Sequence, residues 1–178
     1  MDDAILAGQA ITVESPEILW AAEQIDVVVE MTGTIQLAFD WIMDAMAAGK
    51  HVVTANKAML AIHGQELAEA AEAAEVSLRY EAAVAGGIPV VKALTEGLSG
   101  NEITRVMGVM NGSCNYILTR MQNAGLSYRE VFDEANALGF LEADPELDVG
   151  GIDAGHKLAL LASIAFGTQV NFDGVALE

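Results

Sequence analysis

Apolar residues fall in two rhythms along this chain, and the change between them divides it. Ile25–Met31 (IDVVVEM) and His51–Ala55 (HVVTA) are short, nearly continuous β-branched runs. That pattern predicts strands buried on both faces. Between them, Gln36–Ala48 carries Leu37, Trp41 and Ala48 at helical spacing and is closed by Gly49 and Lys50. Lys57–Glu75 reads as a long Ala/Leu/Glu helix, and Val76–Tyr80 as a third strand. Ahead of these lie a weak strand, Ala10–Val13, and a helix, Pro16–Gln24. Strand and helix in alternation predict βαβ units and a parallel sheet. Such sheets bind ligands at the carboxyl ends of their strands. Here those ends are Thr32-Gly33-Thr34, Asn56-Lys57 and Glu81–Gly87.

After Tyr80 the rhythm changes. Ala82–Pro89 is Gly-rich and reads as a hinge with a tight Gly-Gly-Ile-Pro turn. Val90–Glu96 and Asn115–Asn123 read as helices, and Glu102–Met110 (EITRVMGVM) alternates like a half-solvated strand. Ser127 and Glu130 form a capping-box pattern that opens a helix over Tyr128–Leu138, with Gly139 at the C′ position. A last helix is expected from about Ala154 to Ala165. The expected fold is α/β: a partial Rossmann-type parallel sheet over residues 1–80, then an α+β substrate and dimerisation domain over 81–178. No G-x-G-x-x-G precedes these elements. The expectation is therefore a chain lacking the first βα unit, with an incomplete dinucleotide site and an exposed sheet edge.

Composition narrows the chemistry. With 53% hydrophobic and 19% charged residues over 178 positions, the chain can bury a core. Its net charge of -18 and only eight basic residues argue against nucleic acid. One cysteine, Cys114, excludes an internal disulfide and fits a reducing compartment. No apolar stretch reaches membrane length and no leader is recognisable, so a cytoplasmic protein is expected, with no membrane partner. His51, His63 and His156 do not cluster in sequence and no zinc motif is present.

The densest chemistry is GFLEADPELDVGGIDAGHK, Gly139–Lys157. Five carboxylates (Glu142, Asp144, Glu146, Asp148 and Asp153) occupy twelve residues, and Lys157 follows on an apolar helix. Carboxylates offer charged acceptors to an ammonium, and a positioned lysine is an effective proton donor. A calcium loop also uses alternating carboxylates, but the spacing here is not that of an EF-hand. A solvated acidic turn with Asp153 as helix N-cap is the plainest reading.

These motifs together resemble homoserine dehydrogenase. GKHVVTANKAML (Gly49–Leu60) is similar to the family's cofactor-contacting strand-to-helix segment. EAAVAGGIPVV (Glu81–Val91) is similar to its hinge, NGSCNYIL (Asn111–Leu118) to its NGTxNYIL, and the acidic loop to its E-x-D-P-x-x-D-x-x-G-x-D-x-x-x-K signature. Ser113 stands where the family usually has Thr, and Phe140 where Tyr is common. The family's glycine-rich fingerprint and its closing C-terminal segment are absent, which implies a fragment of a longer enzyme.

The resemblance implies reduction of L-aspartate 4-semialdehyde to L-homoserine with NADPH or NADH, in threonine and methionine biosynthesis. It implies Lys157 as general acid, with help from Lys57. It implies Glu142, Asp153, Asp148, Gly112 and Ser113 toward substrate, with Asp144 in support, and Thr32, Lys57 and Gly139 toward the cofactor. Glu81, Val84, Gly86 and Ile88 match positions that hold a monovalent cation, Na+ or K+, largely through backbone carbonyls. A homo-oligomer is implied as well. Plainer readings stay open: Lys57 as a first-turn helix lysine, Gly139 as a helix stop, Gly112-Ser113 as a turn, and Cys114 as a small core residue. Two other functions also stay open, a non-catalytic remnant that binds a partner and a dehydrogenase for another small aldehyde.

Overall fold

The computed structural model describes Gly8 and residues 10–141 and 144–177. The chain divides into two compact units, Met1–Lys92 and Ala93–Glu178.

In the first unit, helix α1 (Glu17–Ala21) precedes β1 (Val27–Glu30), α2 (Gln36–Ala47), β2 (His51–Thr54), α3 (Lys57–Ala73), β3 (Leu78–Arg79), α4 (Glu81–Ala85) and α5 (Val90–Lys92). The three strands form a parallel sheet in the order β1-β2-β3. Val27 pairs with His51 and Glu30 with Thr54, so the polar ends of the two Val-rich runs come side by side. Helices α2 and α3 pack on each other and on the strands. Ala38, Ile42, Ala45 and Met46 of α2 meet a core shared with Met59, Leu60, Leu67 and Ala71 of α3 and Val52 of β2. That buried stripe lies one position on from Leu37 and Trp41, and Leu37 and Ala48 are exposed. Burying each large side chain there contributes roughly 1.5–3 kcal/mol.

Several expectations need correction here. The first strand is not buried on both faces. Val27 and Val29 are 48% and 58% exposed while Glu30 is buried. Strand side chains alternate between faces, and the described helices cover the face that carries Val52 and Thr54. Ala10–Val13 forms no strand. The Gly-rich stretch after Tyr80 begins as a helix, α4, before Gly86 (φ 58°) turns the chain and Ile88 N–H reaches Ala85 C=O at 3.1 Å.

The second unit is helical. A short π-helix, Ala93–Gly97, precedes α6 (Gly112–Ala124), α7 (Tyr128–Ala137), α8 (Glu146–Val149) and α9 (Ile152–Phe166). Glu102–Met110 is not a strand, because among the described residues no strand pairs with it. An alternating pattern becomes a strand only when a ladder satisfies its backbone. Met107 and Val109 accordingly stand 79% and 77% exposed. Helices α6 and α7 form a hairpin around Ile117, Val131 and Ala135. The capping box is present, with Ser127 N–H on Glu130 Oε2 at 2.9 Å and Glu130 N–H on Ser127 Oγ at 3.4 Å. Gly139 follows α7 with φ 72°, a left-handed conformation that costs glycine little. Among the described residues no helix is long and apolar enough to cross a membrane.

Candidate active site

Strand register builds a polar cluster in the first unit. Because Glu30 and Thr54 are cross-strand partners, Thr54 Oγ1 donates to Glu30 Oε2 at 2.6 Å. The other carboxylate oxygen receives Thr32 N–H at 2.6 Å and Thr32 Oγ1 at 2.8 Å. Burial, the largest single influence, pushes the Glu30 carboxyl up. Hydrogen bonds from Thr54, Thr32 and Gly33 together outweigh it and leave the group below its ordinary value. Thr54 Oγ1 also accepts Asn56 N–H at 3.0 Å. Asn56 then caps α3 through Met59 N–H at 3.2 Å and donates to Thr34 C=O at 2.6 Å. The result is a tied loop, Thr32-Gly33-Thr34, at the carboxyl end of β1, with Lys57 at the first position of α3. Gly33 has φ 75°, and a Cβ placed there would meet no atom within 4 Å.

Helix termini build a second polar cluster, within the second unit. Asn111, the N-cap of α6, accepts Cys114 N–H on its Oδ1 at 2.7 Å. Its Nδ2 donates to Asp148 Oδ1 at 2.8 Å and Asp153 Oδ2 at 3.0 Å. Both carboxylates are buried, and so is Asn111. Lys157 lies one helical turn after Asp153 on α9, and its Nζ reaches Asp153 Oδ2 at 2.7 Å and Met110 C=O at 2.9 Å. An ammonium has three donors, so among the described residues one N–H of Lys157 remains without a partner. The Lys157 side chain is 20% exposed against 4% for Asp153. Burial raises the Cys114 thiol, with smaller contributions from Asp148 and Asp153. The thiol is thereby kept protonated, as its contact with Asp148 C=O at 3.4 Å requires.

The structure sorts the expected residues. Asp148, Asp153 and Lys157 come together. Gly112 and Ser113 form the first turn of α6, and Ser113 Oγ donates to Phe140 C=O at 2.6 Å, which joins that turn to the segment after Gly139. Asp144 is exposed, and its carboxylate accepts Glu146 N–H at 3.2 Å. Glu142 lies outside the described residues. Asp153 is not the N-cap of α9; Gly151 holds that position with φ 76°, and Asp153 is in the first turn, where the helix N-terminus favours an anion. Thr32 and Lys57 belong to the first unit. So do Glu81, Val84, Gly86 and Ile88, which line the α4 turn. There Glu81 caps the next helix, receiving Val91 N–H at 2.7 Å and Lys92 N–H at 2.8 Å. Among the described residues no three His, Cys, Asp or Glu side chains are grouped to hold a metal ion.

Sequence reasoning missed Glu30, Asn56 and Asn111. Each carried a signal: a lone carboxylate ending an apolar strand, and two asparagines directly before helices.

Comparison with known proteins decides the lineage. The family model for the homoserine dehydrogenase NAD binding domain matches residues 3–81, and that for homoserine dehydrogenase matches residues 89–178. The chain belongs to the homoserine dehydrogenase family. It is 53% identical to the homoserine dehydrogenase of Pseudomonas aeruginosa, over 87% of this chain and 36% of that protein. Against the homoserine dehydrogenase of Neisseria gonorrhoeae the identity is 46%, over 97% of this chain and 40% of the relative. The crystal structure of a homoserine dehydrogenase from Thiobacillus denitrificans superposes with a TM-score of 0.91 at 45% identity, covering 100% of this chain and 42% of that one. The chain thus spans about two fifths of the homoserine dehydrogenases it matches.

Proposed function

We propose that the protein to which this chain belongs reduces L-aspartate 4-semialdehyde to L-homoserine with NADPH or NADH. The observation that carries this reading is the Asp153–Lys157 pair. An ammonium held by two acceptors, with one donor to spare, is placed to protonate a carbonyl oxygen. The dinucleotide, when bound, supplies the hydride. In this reading Thr32 of the tied loop, Lys57 and Gly139 hold the cofactor. Two features of the first unit support the assignment, the open space over Gly33 and the carboxyl-end position of the loop.

Asp148 and Asp153 give the second unit a buried negative pole suited to a substrate ammonium, and we assign Glu142 to the same task. Gly112 and Ser113 bring first-turn groups of α6 to the substrate side. Lys57 assists the proton transfer. Glu81, Val84, Gly86 and Ile88 are proposed for a monovalent cation. Their oxygens suit a hard cation, although Glu81 already accepts two N–H groups and Ile88 C=O accepts Val90 N–H at 2.8 Å. A cation there would use the remaining lone pairs.

The test is substrate discrimination by the full-length protein. Oxidation of NADPH or NADH is followed with aspartate 4-semialdehyde and with succinate semialdehyde, which lacks the α-amino group. Preference for the amino aldehyde by at least about 100-fold in kcat/KM is expected, as for a site built around a polar group. Equal turnover of both would favour a dehydrogenase that reduces small aldehydes in general to alcohols, and turnover of neither would remove the reading.

A further inference from the structure

We propose that Asn111 is a positioning residue that acts through Asp153 to hold Lys157 in place. This rests on the functional reading above and extends it to a residue with no place in that reading.

The argument begins with the orientation of the amide. Oxygen and nitrogen of an asparagine side chain are distinguished by their partners. Oδ1 of Asn111 accepts Cys114 N–H at 2.7 Å, so the nitrogen must face the other way. A flipped amide would set N–H₂ against N–H. The helix cap therefore dictates that both Nδ2 hydrogens point at the carboxylates, one to Asp148 at 2.8 Å and one to Asp153 at 3.0 Å. Asp148 comes from α8 and Asp153 from α9, so one side chain ties the starts of three helices.

The bond to Asp153 lands on Oδ2, the same oxygen that receives Lys157 Nζ at 2.7 Å. Rotation of the Asp153 carboxylate would break both contacts at once. Lys157 is then fixed at a second point by Met110 C=O, the residue just before Asn111. Residues 110–111 thus supply both a direct and an indirect hold on the ammonium. Among the described residues, the titratable groups bonded to Asn111 or to its partners are Asp148 on α8, Asp153 and Lys157 on α9, and Cys114 on α6. Neither carboxylate can bridge to the other unaided, since both are acceptors when ionised. A neutral double donor between them is what the geometry uses.

Asn111→Asp in the full-length protein separates the cap from the bridge. Aspartate is an equally good N-cap, so α6 keeps its start, but the double donor becomes an acceptor. The expected result is a fall in kcat of about 100-fold, the scale of a small misplacement at a reacting centre, with cofactor KM unchanged. The Asn111→Asp variant's kcat should rise as pH falls and the introduced carboxyl gains a proton to donate, while the natural protein shows no such rise. In a double-mutant cycle with Asp153→Asn, the pair should lose no more than Asp153→Asn alone. Should Asn111→Asp fail to fold, Asn111→Ser retains a capping oxygen with a single donor and is expected to show the same kcat loss at unchanged cofactor KM.

A natural-like kcat in the variant that folds, or losses that multiply in the cycle, would overturn the proposal. The cycle is also read by Tm, without turnover. If the natural protein does not reduce aspartate 4-semialdehyde, the functional reading fails, and additive or non-additive Tm shifts still decide whether Asn111 acts through Asp153.

Discussion

Glu30 and Asp153 are both buried carboxylates at the ends of regular elements, yet their surroundings differ in kind. Among the described residues the hydrogen bonds to Glu30 come from hydroxyls and backbone N–H groups. Its charge is satisfied by neutral dipoles, and its role is to tie strand ends. Among the described residues, Oδ2 of Asp153 receives both the neutral amide of Asn111 and the ammonium of Lys157. Neutral dipoles can stabilise a charge but have no proton to trade at ordinary pH, whereas an ammonium does. On the function proposed above, the first carboxylate is scaffold and the second serves the proton donor.

That contrast can be broken by substitution. The largest effect is expected for Asp153→Asn, which should lower kcat by about 10²–10⁴-fold, the range for general acid–base groups, with a smaller change in Tm. Glu30→Gln should do the reverse. It turns an acceptor into a donor facing Thr and backbone donors, and leaving buried groups unpaired costs roughly 1–3 kcal/mol. Chemical denaturation should register that loss, while kcat per folded molecule changes much less. If Glu30→Gln abolishes kcat in a stable protein, the contrast is wrong.

Acid titration sharpens it. The folded Glu30 carboxyl lies below its ordinary value of 4.5. Its stabilising contribution is therefore full above the unfolded value and is lost as pH falls through the folded one. The stability gap between natural protein and Glu30→Gln should be constant near neutrality and narrow only below about pH 4.5. A gap that narrows as pH rises would contradict the sign. The smallest effect belongs to a control outside both regions. Ser127→Ala removes the α7 cap and should cost about 1 kcal/mol of stability, with kcat unchanged.

What the sequence revealed follows from which forces are local. The capping box at Ser127 and Glu130, the Gly139 stop and the parallel pairing of the three strands were all legible, because caps, turns and βαβ rhythm act over short separations. The closeness of Asp148, Asp153 and Lys157 was legible through the family signature. The bridge from Asn111 was not, since its partners lie 37 and 42 residues away. The pairing of Glu30 with Thr54 depends on strand register, which no single run of residues contains. Glu102–Met110 misled because alternation states what a segment prefers and not whether a partner strand exists. Asp153 was misplaced by two positions because Gly151, in a left-handed conformation, starts the helix earlier than the carboxylate pattern suggests.

The most direct test of the account is Lys157→Ala in the full-length protein, with turnover of aspartate 4-semialdehyde and the cofactor Kd measured on the same preparation. The account predicts a loss of turnover to background with the cofactor Kd changed less than about twofold, as expected when a proton donor alone is removed. Retained turnover at an unchanged Kd would take Lys157 out of the mechanism and contradict the assignment of the second carboxylate to chemistry.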